Sequence, residues 1–134
     1  MRYYVFDTNI ISLFLRRDAR VRTRWNHMES TEHIILGCPV VWYEIRRGLI
    51  AKDAQKQTER FEALYSTFIW QDFEPDDWML AAEWWANRRA HGLPVGDADL
   101  LIAVFARNRD AVLVTDNEKD FANRAVTIEN WAKS

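Results

Sequence analysis

The chain opens on consecutive apolar positions, residues 3–6, and the run stops at Asp7. Uninterrupted apolar character over so short a stretch predicts a strand buried on both faces. Asp7-Thr8-Asn9 then supplies helix-capping side chains, and Ile10, Ile11, Leu13, Phe14 and Leu15 continue as a helix that ends near Arg17. The alternation repeats with a helical stretch over 21–29 and an apolar strand over 33–36. A helix follows, opened by Pro39, with Val41, Ile45 and Leu49 on one face and Gly48 near its end. Residues 53–67 have helical spacing with Phe61, Leu64, Tyr65 and Phe68 inward, and 69–73 is a short β-prone piece. Another helix starts near Pro75-Asp76-Asp77 and stops at His91-Gly92, where glycine takes the left-handed cap. On it Trp78, Ala81, Ala82 and Trp85 follow core spacing, while Met79 and Trp84 lie off that stripe. After a turn at 93–96 come a strongly apolar helix over 97–107, a strand over 111–115, a helical turn over 117–121 and a last strand over 126–128, before Trp131. Strands alternating with helices predict an α/β fold, a sandwich around a mostly parallel central sheet. No repeat or linker interrupts it, so residues 1–134 read as a single domain.

With 134 residues, 49% of them hydrophobic, the chain can bury a core without disulfides or a structural metal. Cys38, the single cysteine, has no partner thiol; it reads as a small buried hydrophobe in a protein of a reducing compartment. The N-terminus lacks a charged-then-apolar leader, and the longest apolar run, 100–106, is too short to span a bilayer, so a cytoplasmic protein with no membrane partner is expected. His27, His33 and His91 share no ligand-like spacing. A net charge of −2 gives no global argument for nucleic-acid binding. The charge is uneven, however: Arg16, Arg17, Arg20, Arg22 and Arg24 crowd one stretch, and Arg46 and Arg47 follow Glu44, as a solvated face or as a phosphate-contacting rim. Seven tryptophans are many for this length, and the surplus beyond the core suggests a protein contact, either a homodimer face or a groove for a partner's helix.

Four carboxylates stand out. Asp7 and Asp116 each follow a predicted strand, and parallel α/β sheets place ligands at the carboxyl ends of their strands. Glu44 borders the apolar stripe of its helix, and Asp99 sits in the first turn of another, where the helix dipole favours it. Individually these are ordinary cap and turn positions. Together they suit a hard divalent cation: magnesium takes oxygen ligands and keeps several waters, leaving positions for phosphate oxygens.

The joint pattern resembles the PIN-domain nucleases. It consists of Asp7-Thr8-Asn9 after the first strand, Glu44 within Val40-Val41-Trp42-Tyr43-Glu44-Ile45-Arg46-Arg47-Gly48, Gly96-Asp97-Ala98-Asp99-Leu100-Leu101-Ile102-Ala103, and Leu113-Val114-Thr115-Asp116-Asn117 with Asp120-Phe121. The short length looks like the VapC toxins of bacterial toxin-antitoxin pairs. The resemblance implies a PIN-like α/β/α sandwich and an endoribonuclease that cuts structured RNA such as transfer RNA or a ribosomal loop. It implies that Asp7, Glu44, Asp99 and Asp116 are catalytic, with Mg2+ or Mn2+ held chiefly by Asp7, Asp99 and Asp116. Thr8, Asn9, Asp97, Thr115, Asn117 and Asp120 would support them, and Arg16, Arg17, Arg20 and Arg46 would contact RNA. A VapB-like antitoxin and a second copy of the chain are the implied protein partners. Two other readings stand beside it. A non-catalytic RNA- or partner-binding module would use the same surface. An aspartate phosphoacceptor of receiver or phosphatase type would also place Asp7 after an early strand, but this chain has Asn9 where the phosphatase wants a second aspartate, and no lysine where the receiver wants one.

Overall fold

The structure, a computed structural model, describes residues 1–121 and 126–133. The opening apolar run forms β1 (Arg2–Phe6), whose Tyr4, Val5 and Phe6 are buried at the centre of an all-parallel sheet. β1 pairs on one side with β2 (His33–Gly37), Tyr3 opposite Ile34, and on the other with β4 (Val112–Val114), Val5 opposite Leu113. The short strands β3 (Ile69–Trp70) and β5 (Ile128–Glu129) complete the order β3-β2-β1-β4-β5. The chain therefore builds outward from β1 to β3, returns, and builds the other way through β4. The reversal between β1 and β4 leaves a crevice at their carboxyl ends, where open α/β sheets bind ligands.

Helices α1 (Thr8–Leu15), α2 (Ala19–Glu29), α3 (Pro39–Ala51), α4 (Gln55–Tyr65), α5 (Pro75–Ala90), α6 (Asp97–Asn108) and α7 (Glu118–Phe121) fill the connections. Their boundaries fall within a few residues of those predicted. The β-prone stretch over 69–73 pairs only at Ile69–Trp70, because the Asp72 carbonyl turns to Arg109 and the Phe73 ring to Phe105. Gly92 takes the predicted left-handed conformation, φ +67, and the Leu93 N–H reaches the Arg88 carbonyl to close α5. Phe61, Tyr65 and Phe68 are buried as expected, and Tyr65 donates its hydroxyl to the Cys38 carbonyl at 2.7 Å. Cys38 is enclosed, and burial pushes its thiol up to about 12, so it is an inert core residue.

One expectation fails on α5. Trp78 and Trp85 are 54% and 44% exposed and Ala82 is exposed too, while Met79, expected off the stripe, is 63% exposed. The buried side keeps Ala81 of the expected stripe and adds Asp77, with Leu80 and Trp84 partly covered against Leu100 and Val104 of α6. The true stripe is turned by one residue from the predicted one. Apolar residues surround this helix, so periodicity discriminates poorly, and the register is set by Asp77, which Arg109 draws inward.

Candidate functional site

Asp7 ends β1 and opens α1. Its backbone N–H continues the sheet to the Val114 carbonyl at 2.9 Å, while its side chain accepts the Thr8 N–H and the Thr115 hydroxyl, each at 2.7 Å. The carboxylate is 5% exposed and cannot turn without losing one of these donors. Burial raises its pKa above the usual carboxylate range; the Thr115 and Thr8 hydrogen bonds oppose that rise, and the charges of Glu44 and Asp116 add to it. Thr115 is fully buried, and its hydroxyl also receives the Asn117 N–H at 3.0 Å, so one side chain fixes both Asp7 and the loop after β4.

Glu44 lies where α3 borders the core, beside buried Val41 and Ile45. Its Oε1 accepts the Thr8 hydroxyl at 2.7 Å, and its Oε2 is 3.7 Å from Arg47. Thr8 thus holds two carboxylates at once, Asp7 through its backbone and Glu44 through its side chain. Asp99 enters from the first turn of α6 and Asp116 from the loop after β4, where Asn130 donates to it at 3.3 Å. Asp7, Thr8, Asn9, Glu44, Asp99, Asp116 and Asn117 line one polar cleft of about 330 Å3. It lies at the carboxyl ends of β1 and β4.

The donor set of this cleft is oxygen throughout apart from the amides, which suits Mg2+ or Mn2+ rather than a thiophilic ion. Among the described residues, however, no three of His, Cys, Asp and Glu stand close enough to form a ready metal cage. Such a cleft fits a largely hydrated ion held by few direct carboxylates, which is how magnesium is commonly bound.

Residues 4–126 match the PIN domain. The chain belongs to the PIN-domain family. Among curated PIN-domain relatives, "Ribonuclease VapC1" of Haemophilus influenzae is 27% identical over 130 residues, covering 96% of this chain and 95% of that protein. "Ribonuclease VapC2" of Rickettsia felis is 27% identical over 134 residues, covering 97% and 98%. Among solved structures, VapBC2 from Rickettsia felis bound to a promoter DNA fragment contains a chain that superposes with a TM-score of 0.84 at 24% identity, covering 96% of this chain and 98% of that one. The five-stranded parallel sheet is therefore the PIN-domain fold.

Not every predicted site residue reaches the PIN-domain cleft. Asp97 is exposed at the start of α6 and is not among the lining residues. Asp120 belongs to α7, and its side chain lies outside the described residues. Of the arginines, Arg16 and Arg17 flank a neighbouring cleft, whereas Arg20 pairs with Asp18 at 3.5 Å and Arg46 with Glu62 at 3.4 Å. Arg22 lies over the Phe14 ring and Arg24 pairs with Glu129 at 3.2 Å. Sequence reasoning missed Asn130, a lone amide remote from every motif, and it missed Lys52 and Arg60, which line the neighbouring cleft with Arg16 and Arg17. No local signal marks any of the three.

Proposed function

We propose that this PIN domain is a VapC-like endoribonuclease that hydrolyses RNA phosphodiester bonds with Mg2+ or Mn2+. The observation that carries the reading is the convergence of Asp7, Glu44, Asp99 and Asp116 on one polar cleft at the sheet's switch point. The ribonuclease names of the two curated relatives support the reaction class. Asp7, Asp99 and Asp116 would hold a hydrated ion, in part through its waters; when bound, it would lower the pKa of an attacking water and offset charge building on the phosphoryl oxygens. The chain's own residues do the positioning. Thr115 and the Thr8 N–H lock Asp7, and the Thr8 hydroxyl aims Glu44 into the same space. Asn9 and Asn117, on the cleft wall, offer amides to phosphate or ribose.

By the same likeness, structured RNA such as transfer RNA or ribosomal RNA is the substrate, and a VapB-like antitoxin restrains the enzyme, as the VapBC complexes suggest. A second copy of the chain packs on the exposed Trp78, Met79 and Trp85 of α5, an apolar surface costly to leave in water. No helix among the described residues is long and apolar enough to cross a membrane, and we place the enzyme in the cytoplasm.

End-mapping of total cellular RNA after incubation with purified protein tests the reaction, with added metal, with chelator, and with Asp7→Asn. Discrete cuts that need metal and vanish in the variant are expected. Cuts that persist in excess chelator would refute the metal-dependent mechanism. An absence of cuts from folded protein with either metal would favour a binding module instead.

A further inference from the structure

A second cleft of about 590 Å3 adjoins the acidic one and shares Asn9 with it. Its walls come from α1 and its exit, from α3 and the residue after it, and from α4. Arg16, Arg17, Lys52 and Arg60 all line it, together with the apolar Ile45 and Leu49. Among the described residues no carboxylate lines it. Elsewhere Arg2, Arg20, Arg24, Arg46, Arg47 and Arg109 each have a carboxylate within 4.0 Å, whereas Arg22, Arg88, Arg89 and Arg107 form no ion pair among the described residues but do not gather around this cleft. Among the described residues none of the four cations of this cleft forms an ion pair. Arg17 is moreover held at φ +63, a backbone conformation that costs an L-residue about 1–2 kcal/mol relative to glycine. Like charges gathered around one cavity repel, and an anion entering between them relieves that repulsion.

We infer that this cleft holds the RNA strand next to the scissile phosphate, with backbone phosphate between Arg16–Arg17 and Lys52–Arg60 and a nucleobase over Ile45 and Leu49. The inference rests on the ribonuclease reading above and adds to it the track by which substrate enters. RNA is favoured over an acidic polypeptide by the continuity at Asn9. A single ligand must satisfy both a cation-bearing acidic cleft and a basic cleft beside it, and a polynucleotide presents phosphate to each along one strand. An acidic peptide matches only the basic half.

Lys52 and Arg60 are exposed, so Lys52→Gln and Arg60→Gln leave the core intact. Binding of fluorescein-labelled total transfer RNA is measured by anisotropy in the Asp7→Asn background, across a salt series, for each substitution and for both. Each is expected to weaken binding by about tenfold and to reduce the salt slope by about 0.7–1. Arg89→Gln, which removes an exposed cation that stacks on Trp85 and lines neither cleft, is expected to change neither. Wild-type affinity and slope in the double variant would overturn the assignment. So would retained RNA binding with lost binding of polyglutamate, which would make the cleft a protein site. Cleavage by the Asp7 parent with Mg2+ is assayed alongside. If that parent cuts no RNA, the ribonuclease reading falls and the track falls with it; if it cuts and the variants bind RNA unchanged, only the track falls.

Discussion

Asp77→Asn should cost far more than an exposed position on the same helix would. Asp77 is buried near the start of α5, and the Arg109 guanidinium donates to both its oxygens, at 3.0 and 2.8 Å. Asn108 and the Glu74 N–H each donate to it at 2.8 Å. Arg109 in turn donates to Gln71 and to the carbonyls of Phe105 and Asp72, so one ion pair ties α5, the end of α6 and the segment after β3 together. Removing one charge leaves the other enclosed and uncompensated, which typically costs 3–5 kcal/mol; the surviving bonds of Arg109 argue for the lower end, about 3 kcal/mol. With a melting entropy of about 2.1 cal/mol/K per residue, that lowers Tm by about 11 °C for a domain of this length. Acid gives a second reading. Burial alone would raise the Asp77 pKa, but the hydrogen bonds from Arg109, Glu74 and Asn108 and the Arg109 charge outweigh it, and the net shift is downward from 3.8. A depressed carboxylate contributes stability that is complete above its unfolded value and is lost as pH falls through its folded value. The gap between wild type and variant should therefore be constant from about pH 5 to 7 and narrow progressively as pH falls below 3.8. Thermal melts followed by tryptophan fluorescence measure both. A Tm within 3 °C of wild type, or a gap that does not narrow as pH falls below 3.8, would refute the reasoning. Adding Arg109→Met to the variant removes the orphaned charge and should recover part of the loss.

Three further outcomes follow from single contacts. Thr8→Val keeps the volume of the side chain and the N–H to Asp7 but removes the hydroxyl that aims Glu44; kcat should fall about 10–100-fold with little change in KM or Tm, and an unchanged kcat would show that Glu44 needs no such support. Arg17→Gly relieves the positive φ and should raise stability in urea by about 0.5–1 kcal/mol while weakening RNA binding; a lower urea midpoint would show that Arg17 makes a stabilising contact that outweighs its strain. Trp85→Glu places a charge on the exposed apolar face of α5 and should shift sedimentation from dimer to monomer, whereas a wild-type protein that is already monomeric at tens of micromolar would remove the case for self-association through that face.

What the sequence shows of this molecule follows from where chemistry is tied to the ends of elements. Asp7 and Asp116 are legible because an apolar strand must stop where a parallel sheet offers its ligand edge, and Thr8 and Thr115 are legible as their neighbours. Glu44 is legible as the polar border of a stripe made by Val41 and Ile45. The α5 stripe is not legible because Trp78, Met79, Trp84 and Trp85 give apolar character on all sides, and the deciding group, Arg109, lies 32 residues away from Asp77 on another element. Basic residues fail for a related reason. A run such as Arg16 to Arg24 shows how many cations there are, but only the fold shows that Arg20 and Arg24 are neutralised by Asp18 and Glu129 while Arg16 and Arg17 are not. Lys52, just past α3, and Arg60 of α4 join those two, while Arg46, one of the candidates in the sequence, turns to Glu62. A carboxylate site can thus be anticipated from position along the chain, whereas only the fold shows which unpaired cations gather around one cleft.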